Sequence, residues 1–336
     1  MKMDYQPLSD NQRRIQINAI QLFEALIDGE SRLSAYAGSM VWKTSGGKEY
    51  LFKLSDRRGY GRSMGLRSPE TENIHADFRA GKAREKERVR NLRARMAEQV
   101  RFNRAALIGR VPNIIGALLE ALRHAGFGAN NIVVIGTNAL YAYENMAGVF
   151  FAEAITATTD VDLLWDTRSR LRLLIQDPVS LLRILQSIDP SFERMAGRTF
   201  SAANDKGFIV DLIRQMPDPP WKDMPEQIGG DKHDLVATDI WNMKWLLSAP
   251  RITQTVISEN GRITLMPVLD PRAFAVFKLW LAESPERNPQ KKQRDLVQAK
   301  ALLALIHEHL PQYPMDAEAL QMFPKDVVEH ALRLNL

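Results

Sequence analysis

Three aspartates lie in segments that are otherwise apolar enough to form buried strands. Asp160 and Asp162 are two residues apart in the segment DVDLLW, so on a strand both carboxylates project from the same face. Asp211 lies in a similar segment, FIVDLI, at 208–213. A carboxylate among apolar residues is costly unless a cation compensates it, and Mg²⁺ prefers carboxylate oxygens together with substrate phosphates. Two strands that bring these acids to one point would make a two-metal site for phosphoryl transfer.

A second chemical signal precedes the aspartates, where Gly136-Thr137-Asn138 follows the short apolar segment 132–135. A small residue and a hydroxyl at the start of a helix form a phosphate-binding corner. The chain has no G-x-x-x-x-G-K-[ST] loop, and no G-x-G-x-x-G opens a helix after a strand. Taken singly, a D-x-D pair is common, and Gly-Thr before a helix is usually a cap. The order of all three signals along one chain favours a nucleotide site.

The surrounding sequence predicts the elements that position these residues. After Pro112 the apolar periodicity predicts alternating helices and strands: helices at 113–124, 136–146 and 180–188, and strands at 132–135, 160–165 and 208–213. From about Asp234 the chain reads as mostly helical, interrupted by a hairpin at 252–258 and 263–268, and Pro271 opens a helix. We expect an α/β (α+β) fold with three parts: an N-terminal basic hairpin and helix segment at 1–110, a mixed-sheet core at 111–233 and a mostly helical domain at 234–336.

The positive charge of the chain is concentrated near its N-terminus. Between Lys43 and Arg104 there are 17 Lys/Arg and 8 Asp/Glu, a local balance of +9, so the rest of a chain of net charge +5 carries −4. The segment reads as a hairpin around Gly46-Gly47, a glycine- and arginine-rich loop at 57–68 and a helix at 78–102. Clustered cations release counterions from phosphate backbones, so the expected partner of this segment is a polyanion, either a nucleic acid, with RNA favoured, or a polyphosphate. The alternatives are a flexible connector for the loop and a solvated surface for the helix.

Composition excludes several classes of site. The chain has no cysteine, which excludes disulfides, zinc–cysteine sites, iron–sulfur clusters and thiol catalysis. The six histidines show no metal-ligand spacing, and Trp241, Trp245 and Trp280 are expected in the core. The N-terminus has no apolar segment typical of a signal peptide, and no apolar run is long enough to cross a bilayer. We expect a cytoplasmic protein that does not contact a membrane.

The order of a strand, Gly-Thr opening a helix, a D-x-D strand and a later single acid resembles the DNA polymerase β-like nucleotidyltransferase superfamily. The segments GSMVW, SPETE, VVIGTNALYAYE, TTDVDLLWD and VDLI further resemble a bacterial group of nucleotidyltransferase-fold proteins. The resemblance implies that Asp160 and Asp162 bind two Mg²⁺ ions, with Mn²⁺ as an alternative. Asp211 would complete the second metal site and help activate an acceptor hydroxyl, and Gly136 and Thr137 would hold the β- and γ-phosphates. Thr137 stands where Ser is more usual, and residues 148–158 lengthen the gap before Asp160.

The C-terminal segments 271–279 and 291–299 resemble helices of abortive-infection type nucleotidyltransferase toxins, in which a K-x-x-D segment faces the nucleotide. By this resemblance Lys278 or Lys292 would neutralise triphosphate charge, and Asp295 would hold the lysine in place. The alternative is a surface helix with ordinary i,i+3 charge pairs.

Together these features predict a metal-dependent nucleotidyltransferase of EC 2.7.7 type. It would transfer a nucleoside monophosphate from an NTP to a hydroxyl, with an RNA end such as that of tRNA favoured and a protein hydroxyl as another acceptor, in a toxin or phage-defence role. The alternative is a non-catalytic nucleotide- or RNA-binding module on the same fold.

Overall fold

The chain divides into two compact units, 14–106 and 1–13 with 107–336. The computed structural model describes residues 5–55, 59–168, 180–229 and 231–334. Arg57 and Arg58, which belong to the predicted glycine- and arginine-rich loop, lie outside the described residues. The predicted boundary between a core and a helical domain at residue 233 stays a prediction.

The unit 14–106 holds two long helices and a three-stranded antiparallel sheet. Helix α1 (Asp10–Ser34) starts just before the unit and was not predicted; α2 is Pro69–Ala105. The strands are β2 (Ser39–Ser45), β3 (Lys48–Leu54) and β4 (Gly61–Leu66) in that order. Helix α2 is longer than the predicted 78–102 because Ser68 and Thr71 form a reciprocal capping box and Pro69 opens the first turn. The predicted hairpin around Gly46-Gly47 is confirmed.

The prediction of a loop throughout 57–68 was wrong, because residues 61–66 form β4. Gly61 approaches the backbone of Lys53 so closely that a Cβ atom would collide with it. Gly65 has a φ of 125°, beside an irregularity in the pairing with β3. The glycines that indicated a loop therefore allow an edge strand to pack closely and to accommodate a bulge.

The other unit is built on a mixed sheet, as predicted. Its strand order is β5-β7-β10-β9-β8, with β11 also pairing with β10. The pairs β7–β10 and β10–β11 are parallel, and the pairs β5–β7, β9–β10 and β8–β9 are antiparallel. Its strands are β5 (Ile132–Ile135), β7 (Asp160–Trp165), β8 (Glu193–Met195), β9 (Arg198–Ala203), β10 (Ile209–Gln215) and β11 (Thr238–Ile240). A separate strand pair joins β1 (Tyr5–Pro7) to β6 (Val149–Phe151).

Helices pack on this sheet and continue into the C-terminal part. They are α3 (Asn113–His124), α4 (Leu140–Ala147), α5 (Glu153–Thr156), α6 (Leu181–Ile188), α7 (Met243–Ser248), α8 (Pro271–Glu283), α9 (Pro289–His309) and α10 (Lys325–Leu334). The hairpin of β12 (Arg251–Ile257) and β13 (Ile263–Leu269) lies where it was predicted. The segment 148–158 adds β6 and α5. No helix in the described ranges combines the length and apolarity needed to cross a bilayer.

The core runs through both strands that carry the aspartates. Val161 and Leu163 on β7 and Val210 and Leu212 on β10 are fully buried, and they alternate with the acidic positions. Trp245 and Trp280, which were expected in the core, are half-buried and pack against it, edge to face with ring centroids 5.1 Å apart. Trp241 does not belong to the core, because its side chain is 64% exposed. The next residue, Asn242, has a φ of 65°, so Trp241 precedes α7 and does not share its helical face with Trp245.

Candidate active site

The three aspartates are brought together by the parallel pairing of β7 and β10. Asp162 pairs with Asp211 across the two strands, and Asp160 pairs with Ile209. Because residues in register point to the same face of a sheet, the three acids share one face. All three line one pocket. Its other walls come from the strands β5, β9 and β11, the turn after β5, the helices α7 and α8, and the start of α9.

The carboxyl group of Asp162 has a raised pKa. Burial, together with the nearby carboxylates of Asp160 and Asp211, raises the pKa of Asp162 to about 6. The cations Lys278 and Lys291 oppose this shift. Within the described residues its carboxylate accepts no hydrogen bond. A cation in the pocket would therefore stabilise the charged form of this carboxylate.

The other two carboxylates are held by protein donors. Ser201 Oγ donates to Asp211 Oδ1 at 2.6 Å, and Arg198 forms an ion pair with Asp211 Oδ2 at 3.3 Å. Thr158 Oγ1 donates to Asp160 Oδ1. Across the described ranges, no three acidic or histidine side chains are already gathered as a metal-ligand set.

This donor set suits a cation that arrives with its substrate. Mg²⁺ is commonly bound through one or two carboxylates, and substrate phosphates and water complete its shell. Asp160 and Asp162 can supply that pair, with Asp211 beside them. The residues therefore fit Mg²⁺ or Mn²⁺ bound together with a phosphate-containing ligand.

Gly136 makes the first turn of the pocket possible. Its φ is 71°, and a Cβ atom at this position would collide with Oδ2 of Asp162. Glycine is thus required both by the backbone conformation and by the close approach of the carboxylate. The turn continues as a short 3₁₀ helix, Thr137–Ala139, before α4 begins.

Thr137 and Asn138 have different surroundings, although both were predicted to bind substrate. Thr137 lines the pocket. Asn138 is buried beside it, and its Nδ2 donates to the backbone oxygen of Asp160 at 2.6 Å, which anchors the start of β7. The Oδ1 atom of Asn138 is buried and has no partner within the described residues.

Gln298 on α9 is a residue of the site that sequence reasoning missed. It is fully buried, and its Nε2 donates both to the backbone oxygen of Ile155, at 2.7 Å, and to Oγ1 of Thr137, at 3.1 Å. A backbone carbonyl only accepts hydrogen bonds, so the contact with Ile155 fixes which end of the amide is the donor. Because Thr137 Oγ1 accepts from Gln298, the proton of the hydroxyl remains available to a ligand in the pocket.

Besides Arg198 of β9, the cations of the site come from α8, α9 and the segment that joins them. Lys278 is buried, and its Nζ donates to Asp295 Oδ1 at 2.6 Å. Arg287 binds the other oxygen of Asp295 at 2.8 Å, and Asp295 is fully buried. Burial lowers the pKa of Lys278, and the contact with Asp295 opposes that shift. Asp295 thus pairs with the buried Lys278, and neither residue is part of an ordinary surface charge pair.

Lys292, the alternative lysine, is half-buried and is not among the residues that line this pocket. Its neighbours Lys291 and Arg294 line it instead. Adjacent residues are about 100° apart around a helix, so a shift of one position moves a side chain off the pocket face. The site therefore places three carboxylates together with several cations, an arrangement that can bind a metal ion and a polyphosphate at once.

Comparison with known proteins adds one match. A family model described as nucleotidyltransferase matches residues 113–323, a range that contains the Gly-Thr turn, all three aspartates and the Lys278–Asp295 pair. No curated protein and no solved structure matches the chain.

Proposed function

The chain belongs to the nucleotidyltransferase family that residues 113–323 match, and on that premise we propose that it is a metal-dependent enzyme of the DNA polymerase β-like superfamily. It transfers a nucleoside monophosphate from an NTP to an acceptor hydroxyl. The observation that carries the proposal is the shared pocket of Asp160, Asp162 and Asp211 with Lys278. Such a pocket accommodates both a divalent cation and a triphosphate.

In this proposal each residue takes the role that the resemblance to the superfamily implies. Asp160 and Asp162 would hold the metal ion, which when bound would neutralise triphosphate charge and orient the phosphates. Gly136 and Thr137 contact the β- and γ-phosphates, and Lys278, kept in place by Asp295, compensates their charge. The acceptor oxygen bonds to the α-phosphorus, the bond to the bridging oxygen breaks and pyrophosphate leaves. Asp211 takes the hydroxyl proton.

An RNA end is the favoured acceptor, because the unit 14–106 carries 19 Lys/Arg against 11 Asp/Glu. A protein hydroxyl is the second acceptor class. A toxin or phage-defence role is supported only by the resemblance of α8 and α9 to the helices of such toxins.

The test is incubation of the protein with each labelled NTP, Mg²⁺ and total RNA, or with protein acceptors. We expect the protein to transfer the labelled nucleotide. Asp160→Ala and Asp162→Ala should each abolish transfer, because the two carboxylates that remain cannot replace the Asp160–Asp162 pair. Asp205→Ala removes an exposed acid outside the pocket and should leave transfer unchanged. Absence of transfer from every NTP to both acceptor classes would contradict the proposal.

A second candidate function is a non-catalytic nucleotide- or RNA-binding module. It is favoured by the engagement of Asp211 with Arg198, which offsets the charge that a metal would otherwise compensate. Thermal melting with Mg²⁺ and each NTP separates the two functions. A ligand-dependent rise in melting temperature that requires Asp162 but accompanies no product would indicate binding alone.

A further inference from the structure

The three-stranded sheet of the unit 14–106 has one face covered by α2. Leu51 of β3 is fully buried on that side. The Trp42 ring lies against His75 of α2 with centroids 5.7 Å apart, and Lys53 Nζ lies 5.7 Å from the centroid of Phe78. Because alternate residues of a strand point to opposite faces, the intervening positions point away from α2.

These intervening positions form what we call the open sheet face, represented by Lys43, Lys48, Tyr50, Phe52 and Ser63. Tyr50 pairs with Lys43, and Phe52 pairs with Ser63, so the residues share one side of the sheet. The only acid in β2, β3 and β4 is Glu49. It belongs to the covered side, where it forms an ion pair with Arg67. The open sheet face is therefore free of acidic residues.

The cations of the open sheet face are uncompensated, unlike many on α2. Lys43 and Lys48 are exposed and form no ion pair within the described ranges. On α2, by contrast, acids neutralise four arginines through the pairs Arg84–Glu85, Arg88–Asp28, Arg90–Glu87 and Arg93–Glu30. An anionic partner therefore gains more electrostatic free energy by binding the open sheet face than by binding the part of α2 whose arginines are already in ion pairs.

The aromatic residues of this face indicate what kind of anion it fits. Tyr50 and Phe52 are half-buried on the same face, and Lys43 Nζ lies 5.0 Å from the Phe52 ring centroid. Positions two apart on a strand are separated by about 6.8 Å, roughly twice the spacing of stacked bases in a duplex. Two bases can contact both rings only if they are splayed apart, as in a single strand.

We propose that the open sheet face binds single-stranded RNA, with Lys43 and Lys48 on phosphates and Tyr50 and Phe52 stacked on bases. The choice of RNA rests on the proposed function, in which an RNA end is the acceptor. RNA binding at this face requires neither NTP nor metal, so it can be measured under conditions in which no nucleotide transfer takes place.

The test is fluorescence anisotropy with the full chain and a labelled single-stranded RNA of about 12 nucleotides, in EDTA and without NTP. Tyr50→Leu with Phe52→Leu keeps apolar bulk but removes the stacking surface, and we expect affinity to fall about tenfold or more. Lys43→Ala with Lys48→Ala should weaken binding and make the slope of log affinity against log salt shallower by about 1.4. Arg90→Ala, which removes one exposed and paired cation of α2, should change affinity less than twofold, in line with the small contribution of such pairs, ~0–1 kcal/mol.

Three results would overturn the proposal: unchanged affinity in the Tyr50/Phe52 variant, equal binding of double-stranded RNA, or binding of anionic vesicles but not of RNA. If a variant fails to fold, photocrosslinking of 4-thiouridine RNA to the unaltered chain decides, and the crosslinks should map to β3. Crosslinks only outside β2–β4 would contradict it. The binding assay contains no NTP, so a protein that fails to transfer nucleotides could still show RNA binding. Conversely, a protein that fails to bind RNA could still be tested for nucleotide transfer to other acceptors.

Discussion

At the scale of single residues, the orientation of one hydroxyl group distinguishes this site from a set of charges around a metal. Gln298 donates to Thr137 Oγ1 and is held by the backbone oxygen of Ile155. The hydroxyl proton of Thr137 therefore points to another acceptor, and a phosphate oxygen in the pocket is the acceptor that the proposed function supplies. Gln298 is thus a positioning residue that acts through Thr137.

Replacing Gln298 should weaken NTP binding only while the Thr137 hydroxyl is present. Gln298→Leu and Thr137→Val should each raise KM for NTP about tenfold, since a hydrogen bond to a charged group is worth about 1.5–3 kcal/mol. The double variant should be no worse than Thr137→Val alone, because the two changes remove one interaction. KM and kcat, measured separately for the three variants, check this.

Two controls separate positioning from packing. Gln298→Glu should be more severe than Gln298→Leu, because a carboxylate accepts the Thr137 proton and repels the carbonyl of Ile155. Thermal melting reports any loss of stability in each variant. Additive increases in KM would show that Gln298 acts on the fold and not through the hydroxyl.

The residues of the site differ in how far the sequence could predict them. Asp160, Asp162 and Asp211 were found because acids inside apolar strands are anomalous wherever the strands lie. Gln298 gave no such signal, because a glutamine in a helix is ordinary and its partner Thr137 is 161 positions away. The choice of Lys291 over Lys292 depends on the rotation of α9, which sequence periodicity did not fix.

At the scale of elements, a buried carboxylate links α4 to the neighbouring strand β6. Glu144 is 2% exposed, its Oε1 accepts from the backbone nitrogen of Phe151 at 2.6 Å, and Arg110 pairs with it at 3.3 Å. Burial raises the pKa of Glu144 to about 7, although Arg110 and the Phe151 hydrogen bond oppose the shift. In the native state this side chain therefore holds a proton that the unfolded chain loses near pH 4.5.

The raised pKa of Glu144 predicts a stability that falls as pH rises. Between about pH 4.5 and pH 7 the native state binds more protons than the unfolded state, so the free energy of unfolding decreases with pH. Glu144→Gln keeps the acceptor oxygen and removes the titration. In melting temperatures measured across this window, the unaltered chain should lose stability relative to Glu144→Gln as pH increases.

The test depends on how the difference in melting temperature between the unaltered chain and Glu144→Gln changes as pH rises. A gap between the two proteins that stays constant with pH, or that changes in the opposite direction, would show that Glu144 is ionised in the native state throughout the window. The control Asp205→Ala removes an exposed acid of the same unit. Its melting temperature should depend on pH in the same way as that of the unaltered chain.

Elements were predicted well where periodicity or a turn residue decides them. Helix α3 and strand β7 have the predicted bounds because both are set by apolar spacing and flanking breakers. Strand β4 was misread because glycine indicates a loop when neighbours are unknown, whereas here the neighbour is the backbone of Lys53. Helix α1 was not predicted.

At the scale of the whole molecule, charge and chemistry belong to different units. The unit 14–106 has a net charge of +8, so the remainder of a chain of net charge +5 carries −3. Sequence counting showed this asymmetry, but it could not separate the paired cations of α2 from the unpaired ones of β2 and β3, because the acids that neutralise Arg88 and Arg93 lie on α1.

This charge asymmetry predicts that salt weakens the binding of the RNA acceptor more than the binding of the nucleotide. If RNA makes three phosphate contacts, raising KCl from about 50 to about 200 mM should lower its affinity about twentyfold. We expect NTP to bind beside the buried Lys278, where screening is weaker, so its affinity should change several-fold less. Transfer to RNA, measured as kcat/KM for RNA at saturating NTP, should therefore fall steeply with salt, while the KM for NTP rises only slightly. Equal salt dependence of both substrates would contradict a separate RNA-binding unit and would favour an uncharged or small acceptor.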